Sequence, residues 1–224
     1  MAKRSPLEVL PEAIAAAVPR DQYWFVIGGQ AVRCFCPYRP SRDVDFGVVR
    51  AKDSKQLIAH LRERGKVEVL ERAKDTVHLM FEGIDVSIFV LKNLAAHVEG
   101  GSLNLTGVLA TKTHAVLDRG TRRDFFDLYV MLEMHSLGLS DCMRALRSVY
   151  QTDVNEGLVL RALSYFDDAE AEKALPGEGG DDWDVVKAFF STAVAALIVP
   201  PRKPLAIQSR RVGVGRPGPA TGDG

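Results

Sequence analysis

The chain has 224 residues, 46% of them apolar and 26% charged, with 29 Lys/Arg against 29 Asp/Glu. That composition describes a globular protein with a real core, and it excludes both a disordered chain and a uniformly basic nucleic-acid binder. There is no run of about 18 apolar residues, and the N-terminus MAKRSPLEVL lacks the apolar block of a leader, so a cytoplasmic protein without membrane contact is expected. Cys34, Cys36 and Cys142 have neither CxxC spacing nor paired histidines nearby, so they are expected to be buried hydrophobes. Charge is uneven. Residues 1–130 carry 19 Lys/Arg against 16 Asp/Glu, residues 131–200 carry 5 against 12, and residues 201–224 carry 5 against 1.

Ser5-Pro6 ahead of LEVLPEAIAAAV predicts an opening helix bent at Pro11. Tyr23 to Ile27 reads as a strand closed by Gly28-Gly29, followed by a short helix from Gln30 to Phe35. CPYRPSR is a loop because of its two prolines, and Asp43 to Val49 is the next strand. Lys52 to Arg64 is a helix with Leu57, Ile58 and Leu61 on one face. Val67–Leu70, Thr76–Phe81 and Ile84–Leu91 read as strands, the last two joined by a tight Glu82-Gly83 turn. After Asn93 the pattern changes to helices, at 106–117, 122–135, 140–150, 154–166 and 183–197, with a flexible connector at 175–182. From Pro200 the Pro-, Gly- and Arg-rich tail offers too little apolar surface to fold, and its Arg210-Arg211 pair is either solvated or a contact for RNA. The expected class is α+β, with an α/β domain at 1–93, a helical domain at 94–199 that completes the active site, and a disordered basic tail at 200–224.

The stretch SRDVDFGVV carries the chemistry. Alternation puts Asp43, Asp45, Gly47 and Val49 on one face of the strand and Val44, Phe46 and Val48 on the other, which is core. Two carboxylates about 7 Å apart along a strand suit one or two hard cations. In IDVSIFVL the same alternation sets Asp85 and Ser87 opposite Ile84, Val86 and Ile88, so a third carboxylate is available. Three such charges in one patch repel unless cations sit among them, which predicts Mg²⁺ or Mn²⁺. The competing reading makes Asp43 and Asp45 part of a solvated edge strand, paired with Arg39 or Arg42. Against it stands the glycine pair 14 residues before Asp43, a backbone free of Cβ atoms where phosphate can approach a helix N-terminus.

Together VIGGQAVRCF, RPSRDVDFGV and GIDVSIFV resemble the three-part signature of the nucleotidyltransferase superfamily with the polymerase-β-like fold. In LATKTHAVLDRGTRRDFFDLYVML, the residues Lys112, Arg119, Arg122 or Arg123, Asp124 and Asp127 resemble the K…R…RDxxD block of the AbiEii/AbiGii-type nucleotidyltransferase toxins. The resemblance implies an N-terminal polymerase-β-like mixed sheet with flanking helices, followed by a helical bundle. It implies Asp43, Asp45 and Asp85 as metal ligands, and these three with Lys112 and Asp127 as catalytic residues. Gly28, Gly29, Ser41, Lys112 and Arg123 would bind nucleotide, and Gln30 would narrow or contact its pocket.

The helix around RDFFDLYVML is apolar nearly all round, so Asp124 and Asp127 need a reason to be there; a salt bridge between Arg123 and Asp127 is one. His114 lies two residues from Lys112, on a different helical face, and no catalytic role is expected of it. The expected activity is transfer of a nucleoside monophosphate from an NTP. The acceptor is RNA, above all tRNA, for a toxin restrained by an antitoxin protein. The alternatives are a small aminoglycoside-like molecule, a protein, or a non-catalytic nucleotide-binding module.

Overall fold

The computed structural model describes residues 3–198, apart from residues 22, 42 and 152. The tail from 200 onward, with Arg210 and Arg211, lies outside the described residues. Ser5 caps α1 (Pro6–Val9) in a reciprocal box with Glu8, and Pro6 sits in the first turn, where a missing N–H leaves no bond unmade. Leu10 is extended and Pro11 cannot donate a helical hydrogen bond, so the expected bent helix is two, the second being α2 (Glu12–Ala17). β1 (Trp24–Val26) runs into α3 (Gly28–Phe35), which begins two residues ahead of Gln30 because the glycine pair forms its first turn.

β2 (Val44–Val48), α4 (Ala51–Arg64), β3 (Val67–Arg72), β4 (Thr76–Phe81) and β5 (Ile84–Val90) follow where the periodicity places them. Glu82 and Gly83, at φ 48° and 80°, make the tight turn between β4 and β5. Beyond Asn93 the structure departs from the all-helical expectation. A 3₁₀ helix at Lys92–His97 leads into β6 (Val98–Glu99) and β7 (Ser102–Leu103), and β7 pairs in parallel with β1 through Val26 and Ser102. Strands of two residues carry too little alternation to be legible as such.

The helical half comprises α5 (Leu105–Asp118), α6 (Arg122–His135), α7 (Leu139–Tyr150), α8 (Glu156–Leu163), a short α9 (Asp167–Glu170) and α10 (Asp182–Ile198). Side-chain oxygens of Asn104, Thr121 and Asn155 cap α5, α6 and α8 by accepting from the amides of Gly107, Asp124 and Leu158. The cap at Asn155 starts α8 later than expected, and α9 was not anticipated.

Among the described residues the strands form one mixed sheet in the order β3-β4-β5-β2-β1-β7-β6. Central β2 runs antiparallel to β1 and parallel to β5. On one face, fully buried Val44, Phe46 and Val48 pack with Ile14 of α2 and Leu57 and Leu61 of α4. On the other face Phe25 and Leu103 join the core of the helical half, around Val108, Phe125 and Leu128. Trp24 and Trp183 are buried as core residues, and Cys34 and Cys142 are buried and free. The pleat therefore turns Asp45 and Gly47 toward the helical half.

Gly47 lies opposite Phe25 in the β1–β2 register, and a Cβ there would stand 2.3 Å from the Phe25 ring. Gly47→Ala should thus overpack this face and destabilise the protein by about 1–3 kcal/mol. Denaturant unfolding should show a lower midpoint at unchanged slope; wild-type stability would mean that Phe25 moves aside freely.

Candidate active site

β1 delivers the chain to Gly28, whose φ of +58° favours glycine, and a Cβ at this position would lie 2.5 Å from Asp45 Oδ2. The Asp45 carboxylate therefore leans directly on the turn that opens α3. Gly29 is covered in the same way: its absent Cβ would meet Ser41 Oγ at 3.0 Å and the Arg39 guanidinium at 3.3 Å. The Ser41 hydroxyl itself donates to the Asp43 carbonyl at 3.3 Å.

Gln30 does not line the pocket, contrary to expectation. It is 1% exposed, and its amide donates to the carbonyls of Ser41 (3.4 Å) and Asp43 (3.2 Å) while its oxygen accepts from Arg33 at 3.0 Å. Its role is to hold the loop that carries Asp43. Asp43 is half-exposed and accepts from Arg123 at 3.2 Å. Asp45 is pushed above the ordinary carboxylate range, first by burial and then by Asp43, against the pull of Lys112, Arg119 and Arg123. Asp85 lies one residue before the Val44–Val86 pair of the β2–β5 register and is exposed. Among the described residues no three His, Cys, Asp or Glu side chains gather as metal ligands.

The helical half answers with a buried ion cluster. Lys112 is 3% exposed, and its ammonium lies 2.7 Å from Asp127 Oδ2 and 3.3 Å from Asp124 Oδ1. Arg39 donates from Nη2 to both oxygens of Asp127, at 2.8 and 2.9 Å, and the Tyr38 hydroxyl donates to the same carboxylate at 2.6 Å. Asp124 accepts from Arg119 at 2.8 Å and from the Thr121 hydroxyl at 2.6 Å. The expected Arg123–Asp127 bridge is not made, since Asp127 faces Lys112 and Arg39, whereas Arg123 reaches Asp43. Arg122 turns away to Glu178 and lies 4.6 Å from the centre of the Trp183 ring. Of the two candidates in the block, Arg123 is therefore the one beside the aspartates.

The two halves meet over a cavity of about 230 Å³ whose walls include Gly28, Asp45, Phe89, Lys112, His114 and Arg119. The structure thus brings together Gly28, Asp45 and Lys112, which are distant in sequence. Arg39 and Tyr38 were not singled out as functional, and Arg119 was named in the toxin-like block without a role of its own. Arg39 and Tyr38 left only a faint signal, a Tyr-Arg pair between the two prolines of the loop.

Residues 101–197 match the family model described as nucleotidyl transferase AbiEii toxin, Type IV TA system. That match likens residues 101–197, fewer than half of the chain, to the nucleotidyltransferase toxins. The matched segment holds Lys112, Arg119, Arg123, Asp124 and Asp127 and stops short of the glycine turn and Asp43–Asp45. An uncharacterized protein of Aquifex aeolicus strain VF5 is 26% identical over 202 residues, covering 86% of this chain and 95% of its own. A solved structure of the antibiotic-resistance factor ANT(2'')-Ia overlaps 86% of this chain and 94% of its own at 13% identity with a TM-score of 0.34, a likeness too slight to support an argument. No helix among the described residues is long and apolar enough to cross a membrane.

The matched segment carries a measurable acid sensitivity. Burial opposes the charge on Asp124, but Arg119, Lys112 and Thr121 outweigh it and hold its carboxyl at about 2 instead of 3.8. Lys112 and Arg39 likewise outweigh burial and hold Asp127 below the ordinary range. A depressed carboxylate stabilises the fold above its unfolded pKa and loses that contribution as pH falls through the folded value. Asp124 should therefore contribute about 2 kcal/mol that is present above about pH 4 and lost toward pH 2. Chemical denaturation of wild type and Asp124→Asn should show the variant losing less stability over that interval; equal losses would detach Asp124 from the acid response.

Proposed function

We propose that the enzyme transfers a nucleoside monophosphate from an NTP to an RNA acceptor, tRNA above all, in a reaction that depends on Mg²⁺ or Mn²⁺, and that it acts as a toxin restrained by an antitoxin protein. The observation that carries the nucleotide site is the shared cavity, in which Gly28 and Asp45 of the sheet face Lys112 and Arg119 of the helical half. The toxin reading is supported by the description of the matching family.

Asp43 and Asp45 fit a hard divalent cation. Both offer carboxylate oxygen, and Asp45 fills the space that a Cβ at Gly28 would take. When bound, such an ion supplies charge neutralisation at the phosphates and at the pyrophosphate that leaves. The chain's own groups do the rest. Lys112 and Arg119 line the cavity and would neutralise the triphosphate, and the Gly28-Gly29 turn leaves room for phosphate at the start of α3. Ser41 would add a hydroxyl over Gly29. Arg123 would leave Asp43 for a phosphate oxygen, an exchange made easy by the exposure of that ion pair. Asp85, exposed on β5, would accept the proton of the attacking hydroxyl. Asp127 would act through Lys112 and Arg39, which it holds in place.

Asp43→Ala is the cleanest test, because its exposed pair with Arg123 contributes at most about 1 kcal/mol to stability. The variant should keep the wild-type unfolding midpoint and lose transfer of labelled nucleotide to RNA, read by electrophoresis with each of the four labelled NTPs. Full turnover by this variant would remove Asp43 from the site. Transfer by the wild type in chelator as fast as in Mg²⁺ would end the metal reading. Label appearing on a small aminoglycoside or on protein, with none on RNA, would replace the RNA acceptor.

A further inference from the structure

The cavity over Asp45 does not end at α5. A roomier one, of about 430 Å³, is lined by His114, Leu117, Asp118, Leu158, Arg161 and Tyr165, and it shares His114 and Asp118 with the first. A third, of about 350 Å³, shares His114, Leu117 and Leu158 with the second and adds Tyr150. Shared walls make these a groove that leaves the Asp45 cavity along α5 and runs under α8. Its walls are mostly apolar, interrupted by Asp118 and Arg161. Leu158 and Tyr165 stay 59% and 51% exposed beside it, and the His114 ring lies 5.0 Å from the Tyr150 ring at a 32° tilt.

We propose that this groove holds the base and ribose of the incoming NTP, with the triphosphate in the cavity over Asp45; the inference rests on the NTP-dependent transfer proposed above. The volume is that of a small-molecule site, and aromatic and aliphatic faces suit an uncharged planar base. Asp118 stands at the junction of the two cavities, where a carboxylate can accept from ribose hydroxyls. The charge at the far end argues for a nucleoside over an RNA strand. Asp168 and Asp167 lie near enough to Tyr165 to oppose its ionisation, and residues 131–200 carry 5 Lys/Arg against 12 Asp/Glu, so a phosphodiester backbone would be repelled there while a neutral base would not. Arg161 is the one basic side chain on this part of the wall among the described residues.

Calorimetric titration of NTPs and of inorganic triphosphate, both with Mg²⁺, tests the groove using wild type and a Tyr165→Ala/Leu158→Ser variant, whose substituted side chains are exposed and not needed for the core. Wild type should bind its NTP more tightly than inorganic triphosphate. The variant should bind NTP about tenfold more weakly, in keeping with the loss of base stacking, while its affinity for inorganic triphosphate is unchanged. Unchanged NTP affinity in the variant overturns the proposal, as does a wild type that binds NTP no better than triphosphate. A raised KM for the acceptor with the NTP KM intact would give the groove to the acceptor and overturn it equally. If wild type binds neither NTP nor triphosphate, the transfer reading itself fails, an outcome distinct from a groove that is merely misassigned.

Discussion

A carboxylate with no exposed surface has to be neutralised where it stands, and Asp127 is such a group. Its partners come from two places in the chain: Lys112 from α5, and Arg39 with Tyr38 from the loop that leads into β2. Because the charge would be costly if any partner left, the helical half and that loop are held in one relation to each other. Asp43 and Ser41 lie on the same loop, which Gln30 grips from the other side through two carbonyls. The placement of the acidic strand's entrance thus depends on an ion pair formed 88 residues further along the chain.

The balance of charge within this cluster has a consequence for the cavity beside it. Three cations, Arg39, Lys112 and Arg119, face two anions, Asp124 and Asp127. One positive charge is left over, and two of the three cations also line the cavity with Asp45. That surplus meets Asp45 and Asp118 on the same cavity wall, so Lys112 and Arg119 offset these carboxylates, which would otherwise repel phosphate. The same arrangement complicates Lys112. Removing its ammonium strips Asp127 and Asp124 of a buried partner, a change that typically costs about 3–5 kcal/mol. Loss of activity in such a variant would mix lost binding with lost structure, whereas Asp43 is free of that ambiguity.

What was legible in the sequence followed from local rules. The alternation in VDFGV and IDVSIFV was strict enough to divide the β2 and β5 side chains correctly between the two faces, and the glycine pair marked the turn that Asp45 leans on. The periodicity of α5 and α6 placed Lys112 and Asp127 on helices, although it could not show that they meet. The partners of buried charges are decided by tertiary geometry. Arg123 was the natural neighbour of Asp127 by helical spacing, yet the core turns Asp127 inward while Arg123, one turn earlier, stays on the surface. β6 and β7 escaped notice because two residues cannot display a period, and Gln30 because a buried amide gripping carbonyls leaves no trace in spacing. His114 lies on a different helical face from Lys112, but the groove curves around α5 and reaches it as well.

The ion pairs in this structure fall into two kinds, and the division follows burial. Arg39–Asp127 and Lys112–Asp127 have side chains no more than 7% exposed, which leaves them little screening and little freedom to exchange. Arg123–Asp43 has both side chains about half exposed, at 48% and 49%, where water competes and the pair is worth at most about 1 kcal/mol. A site that must accept a polyanion and cations needs groups that can change partners without unfolding the protein. The buried pairs cannot do so, and they set the geometry. Arg123 and Asp43 can, because neither loses much when the other is replaced by a phosphate oxygen or a cation of higher charge. Their mutual contact keeps two oppositely charged groups occupied within electrostatic reach of Asp45, each held there by the element that carries it.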